Sequence, residues 1–146
     1  MAYKINLKLA DGWKINQETY TDESGAEISH LEAFLPESGS EIYKVFVDIY
    51  AGEMPEDETA EDQAYANYAE TIGFSEEEDE ENPILKYKFN GKNAWGFEAM
   101  TEENFPMRFI SQEVRKGVLA IVVCCAKDDE TLLSTFDILE KGLRIE

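Results

Sequence analysis

The segment Val118-Leu119-Ala120-Ile121-Val122-Val123-Cys124-Cys125 is apolar at every position. A strand with one face in water alternates apolar and polar residues, so a run apolar at both parities needs cover on both faces. At an open sheet edge the same run would template association with other chains. The apolar stretch spans ten residues, 117–126, whereas a helix crossing a bilayer core takes roughly twenty. The run therefore predicts the central strand of a sheet, with helices as the candidates to cover it.

The flanking segments supply partners for that strand. Ile5, Leu7 and Leu9 alternate with Lys4, Asn6 and Lys8, and Asp11-Gly12 turns the chain into a short extended piece, Trp13-Lys14-Ile15. Residues 26–35 read as a strand with Leu31, Ala33 and Leu35 on one side. Tyr43, Val45, Val47 and Ile49 then alternate with Lys44, Phe46, Asp48 and Tyr50. This is the clearest period-two segment of the chain. Further on, Leu85, Tyr87 and Phe89 lead through Asn90-Gly91 into Trp95, Phe97 and Ala99. Asn-Gly tolerates the positive φ angles of a type I′ hairpin turn. Residues 107–114 form another strand, which Lys116-Gly117 turns into the apolar run.

Two segments switch to helical period. Thr59 and Asp62 have the spacing of a capping box, and Ala60, Ala64, Tyr68 and Ile72 recur at i, i+4, with Tyr65 and Ala69 widening the stripe and Gly73 placed to end it. The second helix starts at an Asp128 or Asp129 cap, carries Leu132, Leu133, Phe136 and Leu139 as its stripe, and ends at Gly142, placed as a C′ glycine. Leu143 and Ile145 give a short terminal strand. The fold class is α+β: a single, mainly antiparallel sheet with flanking helices, in one domain over residues 1–146.

Charge narrows the function classes. The 146 residues contain 13 Lys and Arg against 32 Asp and Glu, for a net charge of −19. Such a surface repels phosphate, which excludes ordinary nucleic-acid binding and docking on anionic lipid. The acid is concentrated: residues 53–81 hold thirteen acidic side chains and no basic one, while the strands hold much of the Lys and Arg. The first residues contain no continuous apolar stretch of signal-peptide type. Cys124 and Cys125 are adjacent, so in a strand they face apart, which suits neither a mutual disulfide nor a shared metal. A reducing, cytoplasmic compartment is expected.

The order of elements resembles a known fold family. Leu9-Ala10-Asp11-Gly12-Trp13 opens a series of two strands, a helix, an antiparallel run and a helix ending in Phe136-Asp137-Ile138-Leu139-Glu140-Lys141-Gly142-Leu143-Arg144-Ile145. This is similar to the PsbP-like superfamily, in which many members have Pro where this chain has Ala10. That superfamily includes extrinsic photosystem subunits, a Ran-binding nuclear import factor, DcrB-type lipoproteins and chaperones of secretion effectors. The resemblance spans nearly the whole chain and implies a protein-binding scaffold more often than an enzyme. It assigns no residue a role, because no family binding motif matches position by position.

Motifs for catalysis are sparse. His30 is the sole histidine and shares a strand face with Ile28, Glu32 and Phe34, while Ser29 points to the other side. No nucleophile elbow, P-loop or dinucleotide fingerprint occurs. The acidic run 76–81 lacks the glycine and the alternating ligands of a calcium loop, so it reads as a solvated loop. No metal or cofactor is expected. The candidate partner-binding residues are Phe46, Tyr50, Tyr65 and Phe74, as an apolar patch, with Glu76, Glu77, Glu78 and Asp79 as its acidic rim. The expected function is non-enzymatic binding of a protein or peptide of basic character. A carboxylate- or metal-dependent hydrolase and an acidic nucleic-acid mimic are the alternatives.

Overall fold

The computed structural model describes residues 3–9, 12–21, 23, 25–36, 43–54, 58–72, 84–100 and 105–145. Along these residues run β1 (Ile5–Leu7), β2 (Lys14–Thr21), β3 (Glu27–Pro36), β4 (Tyr43–Glu53), α1 (Ala60–Ile72), β5 (Leu85–Phe89), β6 (Lys92–Met100), β7 (Pro106–Arg115), β8 (Val118–Ala126), α2 (Asp129–Gly142) and β9 (Leu143–Ile145). Seven strands form one sheet in the order β2-β3-β4-β8-β7-β6-β5, and β1 and β9 form a separate two-stranded ribbon. Their pairings are antiparallel throughout. The apolar strand β8 is thus fourth of seven, as its sequence demands. No helix among the described residues is long and apolar enough to cross a membrane.

One sheet face is covered by α2 and the ribbon. Leu31, Val47, Ile49, Ile110, Val122 and Cys124 meet Leu132, Phe136 and Leu139 of the helix, with Ile5 and Leu143 joining from the ribbon. Each fully buried aliphatic side chain contributes about 1.5–3 kcal/mol. The Asp128 carboxylate accepts the Thr131 N–H at 2.7 Å and so starts α2.

Two expectations for α2 are corrected. Leu133 is 53% exposed, and the inward position falls instead to Thr135, whose hydroxyl donates to the Thr131 carbonyl at 2.8 Å and is thereby satisfied within the helix. Gly142 is the last helical residue and not a left-handed cap; the following Leu143 is extended. Glycine matters there because a Cβ would stand 2.9 Å from the Lys8 carbonyl oxygen of the strand segment crossing it.

The opposite face carries α1, which packs on β6 and β7. Its first turn closes as a reciprocal capping box: the Thr59 N–H donates to the Asp62 carboxylate at 3.0 Å, and the Asp62 N–H to the Thr59 hydroxyl at 3.1 Å. Buried Ala60 and Ala64 bring the helix close to the sheet. Beneath it Phe97 stacks on Phe109 with centroids 5.0 Å apart, and Tyr68 meets Phe97 edge-on at 5.3 Å. The capping glycine expected at position 73 lies outside the described residues.

β2 is longer than the three-residue piece expected from sequence. All eight of its residues are exposed, because it is an edge strand with no apolar face to alternate. The β5–β6 turn is type I′ as expected, with Asn90 at φ 54° and Gly91 at φ 79°.

At Gly96 the backbone of β7 closes over the position a side chain would take. A Cβ there would fall 1.7 Å from the Phe109 carbonyl oxygen and 2.8 Å from its carbon. Gly96→Ala must therefore displace β6 from β7, and a loss of about 2–4 kcal/mol is expected. Urea unfolding measures it. A variant within about 0.5 kcal/mol of the parent would show that the two backbones can separate freely.

Candidate functional site

The alternation of β4 sends Val45, Val47, Ile49 and Ala51 to the α2 face and Phe46, Asp48 and Tyr50 to the α1 face. Register carries the second set across three strands. Glu18, His30, Tyr50 and Ile121 lie in one row, Glu32, Asp48 and Val123 in the next, and Phe34, Phe46 and Cys125 in a third. Further along these rows, on β7 and β6, come the aromatics beneath α1. The α1 face is thus aromatic and covered at one end, and acidic and aromatic over β2, β3 and β4.

His30 organises the acidic half. It is only 8% exposed, and its ring stacks parallel on Tyr50 with centroids 4.2 Å apart and planes 2° from parallel. Its Nε2 lies 2.8 Å from the Asp48 carboxylate and its Nδ1 3.3 Å from that of Glu18. A neutral imidazole has one N–H to donate, whereas an imidazolium donates from both nitrogens. Burial alone would disfavour the imidazolium, but the hydrogen bonds to Asp48 and Glu18, with the charges of Asp48 and Glu32, raise the pKa above its ordinary value. Burial raises the Asp48 carboxyl against the opposing pull of His30. The Tyr50 hydroxyl is pushed up to about 12 by burial and by the Asp48 charge.

Ligand atoms of His30, Glu32 and Asp48 lie within 4.8 Å of one another. One imidazole and two carboxylates suit a borderline or hard divalent cation. Both ring nitrogens already face carboxylates, so a cation could reach the imidazole only by displacing Asp48 from Nε2 or Glu18 from Nδ1. The geometry is that of a hydrogen-bonded ion cluster. Ser29 lies on the opposite face and donates its hydroxyl to the Tyr3 carbonyl, where Gln17 also donates to the Ile5 carbonyl at 2.9 Å. It is therefore no nucleophile for His30. Buried Cys124 and half-buried Cys125 lie on opposite faces and are not joined in a disulfide, and burial pushes the Cys124 thiol up, away from the reactive thiolate.

Of the residues singled out by sequence, Phe46 and Tyr50 lie half-buried on the acidic half of the α1 face. Tyr65 is 38% exposed on α1, with β8 between β4 and the strands that α1 covers. Phe74, Glu76, Glu77, Glu78 and Asp79 lie outside the described residues. Sequence reasoning paired His30 with Glu32 along its own strand. The hydrogen-bonding partners instead come from neighbouring strands, Glu18 of β2 and Asp48 of β4. The shared parity of Asp48 with Phe46 and Tyr50 was the available signal; the register was not.

No family model matches the chain, and no curated protein matches it. Among solved structures, the chain is similar to the extracellular domain of PknH from Mycobacterium tuberculosis, at 11% identity over 90% of this chain and 85% of that chain, with a TM-score of 0.37. A likeness that distant carries no argument about function.

The raised pKa of His30 fixes the sign of a pH dependence. A group whose folded pKa exceeds its unfolded value of 6.5 stabilises fully below 6.5, and the contribution is lost as pH rises through the folded value. Between about pH 6 and about pH 8 the parent should lose stability that His30→Gln does not lose. Urea unfolding across that window measures it, and parallel curves for the two proteins would remove the charged His30 from the account.

Proposed function

We propose that this chain is a non-enzymatic binding module of PsbP-like architecture whose partner is a protein or peptide segment of basic character. The observation carrying the reading is the juxtaposition of half-buried Phe46 and Tyr50 with Glu18, Glu32 and Asp48 on the part of the α1 face that lies beyond β6 and β7. Aromatic side chains supply apolar area at low entropic cost, and flanking carboxylates select Lys or Arg and steer the encounter. The tyrosine is held flat by its stack on His30, so little freedom is lost when a partner covers it. The succession of strands and helices supports the PsbP-like assignment through element order, and that superfamily is richer in binding scaffolds than in enzymes.

A fluorescent peptide alternating Lys and Leu provides the test. Its binding should weaken steeply as ionic strength rises from about 0.05 to about 0.5 M. Glu18→Gln with Glu32→Gln, or Tyr50→Leu alone, should each weaken it about tenfold. The control pair Glu130→Gln with Glu140→Gln removes the same charge from α2 and should leave affinity within about twofold. Equal loss from the two pairs would reduce the interaction to net charge and overturn the site. Equal binding of a peptide with Gln in place of Lys would overturn the basic partner.

A further inference from the structure

On the other side of the sheet, where the ribbon crosses its β5–β6 end, a cavity of about 320 Å³ lies between β9 and strands β5 to β8. Its floor is made by Phe89, Ile110, Ala120 and Val122 together with the buried amide of Gln112, which donates to the Phe89 carbonyl at 2.8 Å. Leu143 and Ile145 of β9 form a wall. Three cations border it: Lys92 at the β5–β6 turn, Arg115 at the end of β7 and Arg144 on β9. Among the described residues no acidic side chain lines it, although the chain has 32 acidic residues and only 13 basic ones.

Among the described residues the three cations are held by main-chain carbonyls and not by carboxylates. Lys92 donates to the Val114 carbonyl, Arg115 to that of Ile145 at 2.8 Å, and Arg144 to that of Leu143 at 2.6 Å. Among the described residues the ion pairs involve other groups: His30 with Glu18 and Asp48, Arg108 with Glu98, and Lys141 with Asp137. A carbonyl orients a cation without neutralising it, and each guanidinium carries five N–H donors. Converging positive charge at the border of a cavity attracts a counter-ion of opposite sign. The volume is at the lower end of small-molecule sites, about 300–1,000 Å³, which suits a short apolar body.

We propose that this cavity binds an amphiphilic organic carboxylate, with its apolar body on the Phe89–Ile110–Val122 floor and its carboxylate at Lys92, Arg115 and Arg144. The site is separate from the acidic strip on the α1 face and stands or falls independently of it. Arg115 also fastens β9 to β7 and lies 5.6 Å above the Tyr3 ring, so it doubles as a structural tie. All three cations are exposed, and Arg144 and Lys92, which do not fasten the ribbon to the sheet, are the better probes.

Calorimetric titration of the intact chain with octanoate tests the assignment. Octanol serves as the uncharged analogue and inorganic phosphate as the anion without an apolar body. Octanoate should bind at least about tenfold more tightly than either. Arg144→Gln and Lys92→Gln should each weaken octanoate about three- to tenfold, with the circular dichroism spectrum unchanged. Ala120→Leu, which fills the floor, should abolish binding. Absence of octanoate binding, equal binding of octanol or phosphate, or full affinity in both Arg144→Gln and Lys92→Gln would each overturn the proposal.

Discussion

The structure depends on covering β8 from both sides, and simple dimensions show why one helix per face cannot do it evenly. Seven strands at about 4.8 Å spacing make a sheet about 30 Å wide, while a helix with its side chains is about 10–12 Å across. On the α2 face the ribbon of β1 and β9 extends the cover, and the core there runs without interruption from Leu31 to Phe89. On the α1 face the helix lies over β6 and β7. Side-chain chemistry follows the cover. The rows that read Trp95 and Phe97 beneath α1 become Glu18, His30, Glu32 and Asp48 at the far strands. The acidic strip follows from a sheet wider than the helix laid on it.

The strip also resolves a problem of register. β2 is an exposed polar edge strand with no apolar alternation to fix its alignment on β3. A one-residue slip would turn every side chain to the other face, and usually burial opposes that. Here the Glu18–His30–Asp48 cluster takes one member from each of β2, β3 and β4, so a slip of any strand breaks it. Ions removed from water are weakly stabilising at best, and their better-attested value is in specifying one arrangement. The parallel stack of Tyr50 on His30 locks the same alignment from the β4 side.

Much of the fold was legible because hydrophobic periodicity reports burial directly. The central position of β8, the alternation of β4, the type I′ turn at Asn90-Gly91 and the capping box at Thr59 are each written in a few adjacent residues. What escaped was set by partners distant in sequence. β2 carries no pattern because an edge strand with no buried face needs none. Leu133 sat in the expected apolar stripe, but a helix face is chosen by what lies under it, and Thr135 can enter the core because its hydroxyl finds a carbonyl one turn back. Gly142 was read for its freedom of φ when its constraint is the nearby Lys8 carbonyl. In the candidate site, parity grouped Phe46, Asp48 and Tyr50, and His30 with Glu32. The register between strands, which no local pattern encodes, was needed to join the two groups and add Glu18. The cation-rimmed cavity was invisible for the same reason, since Lys92, Arg115 and Arg144 come from three separate strands.

Charge is also unevenly placed across the sheet. Glu18, Glu32 and Asp48 share the α1 face, whereas Lys92, Arg115 and Arg144 border the cavity beside the ribbon. The two groups also sit on different strands, one on β2 to β4 and the other with Arg115 on β7, Lys92 on β6 and Arg144 on β9 of the ribbon. Several strand spacings of about 4.8 Å separate them, which exceeds the Debye length of about 8 Å at physiological salt. Opposite charges that far apart do not cancel one another locally, so each keeps its own field while the chain as a whole stays acidic. A net charge of −19 therefore describes what the molecule repels at a distance, while the cations at the cavity act close to its rim.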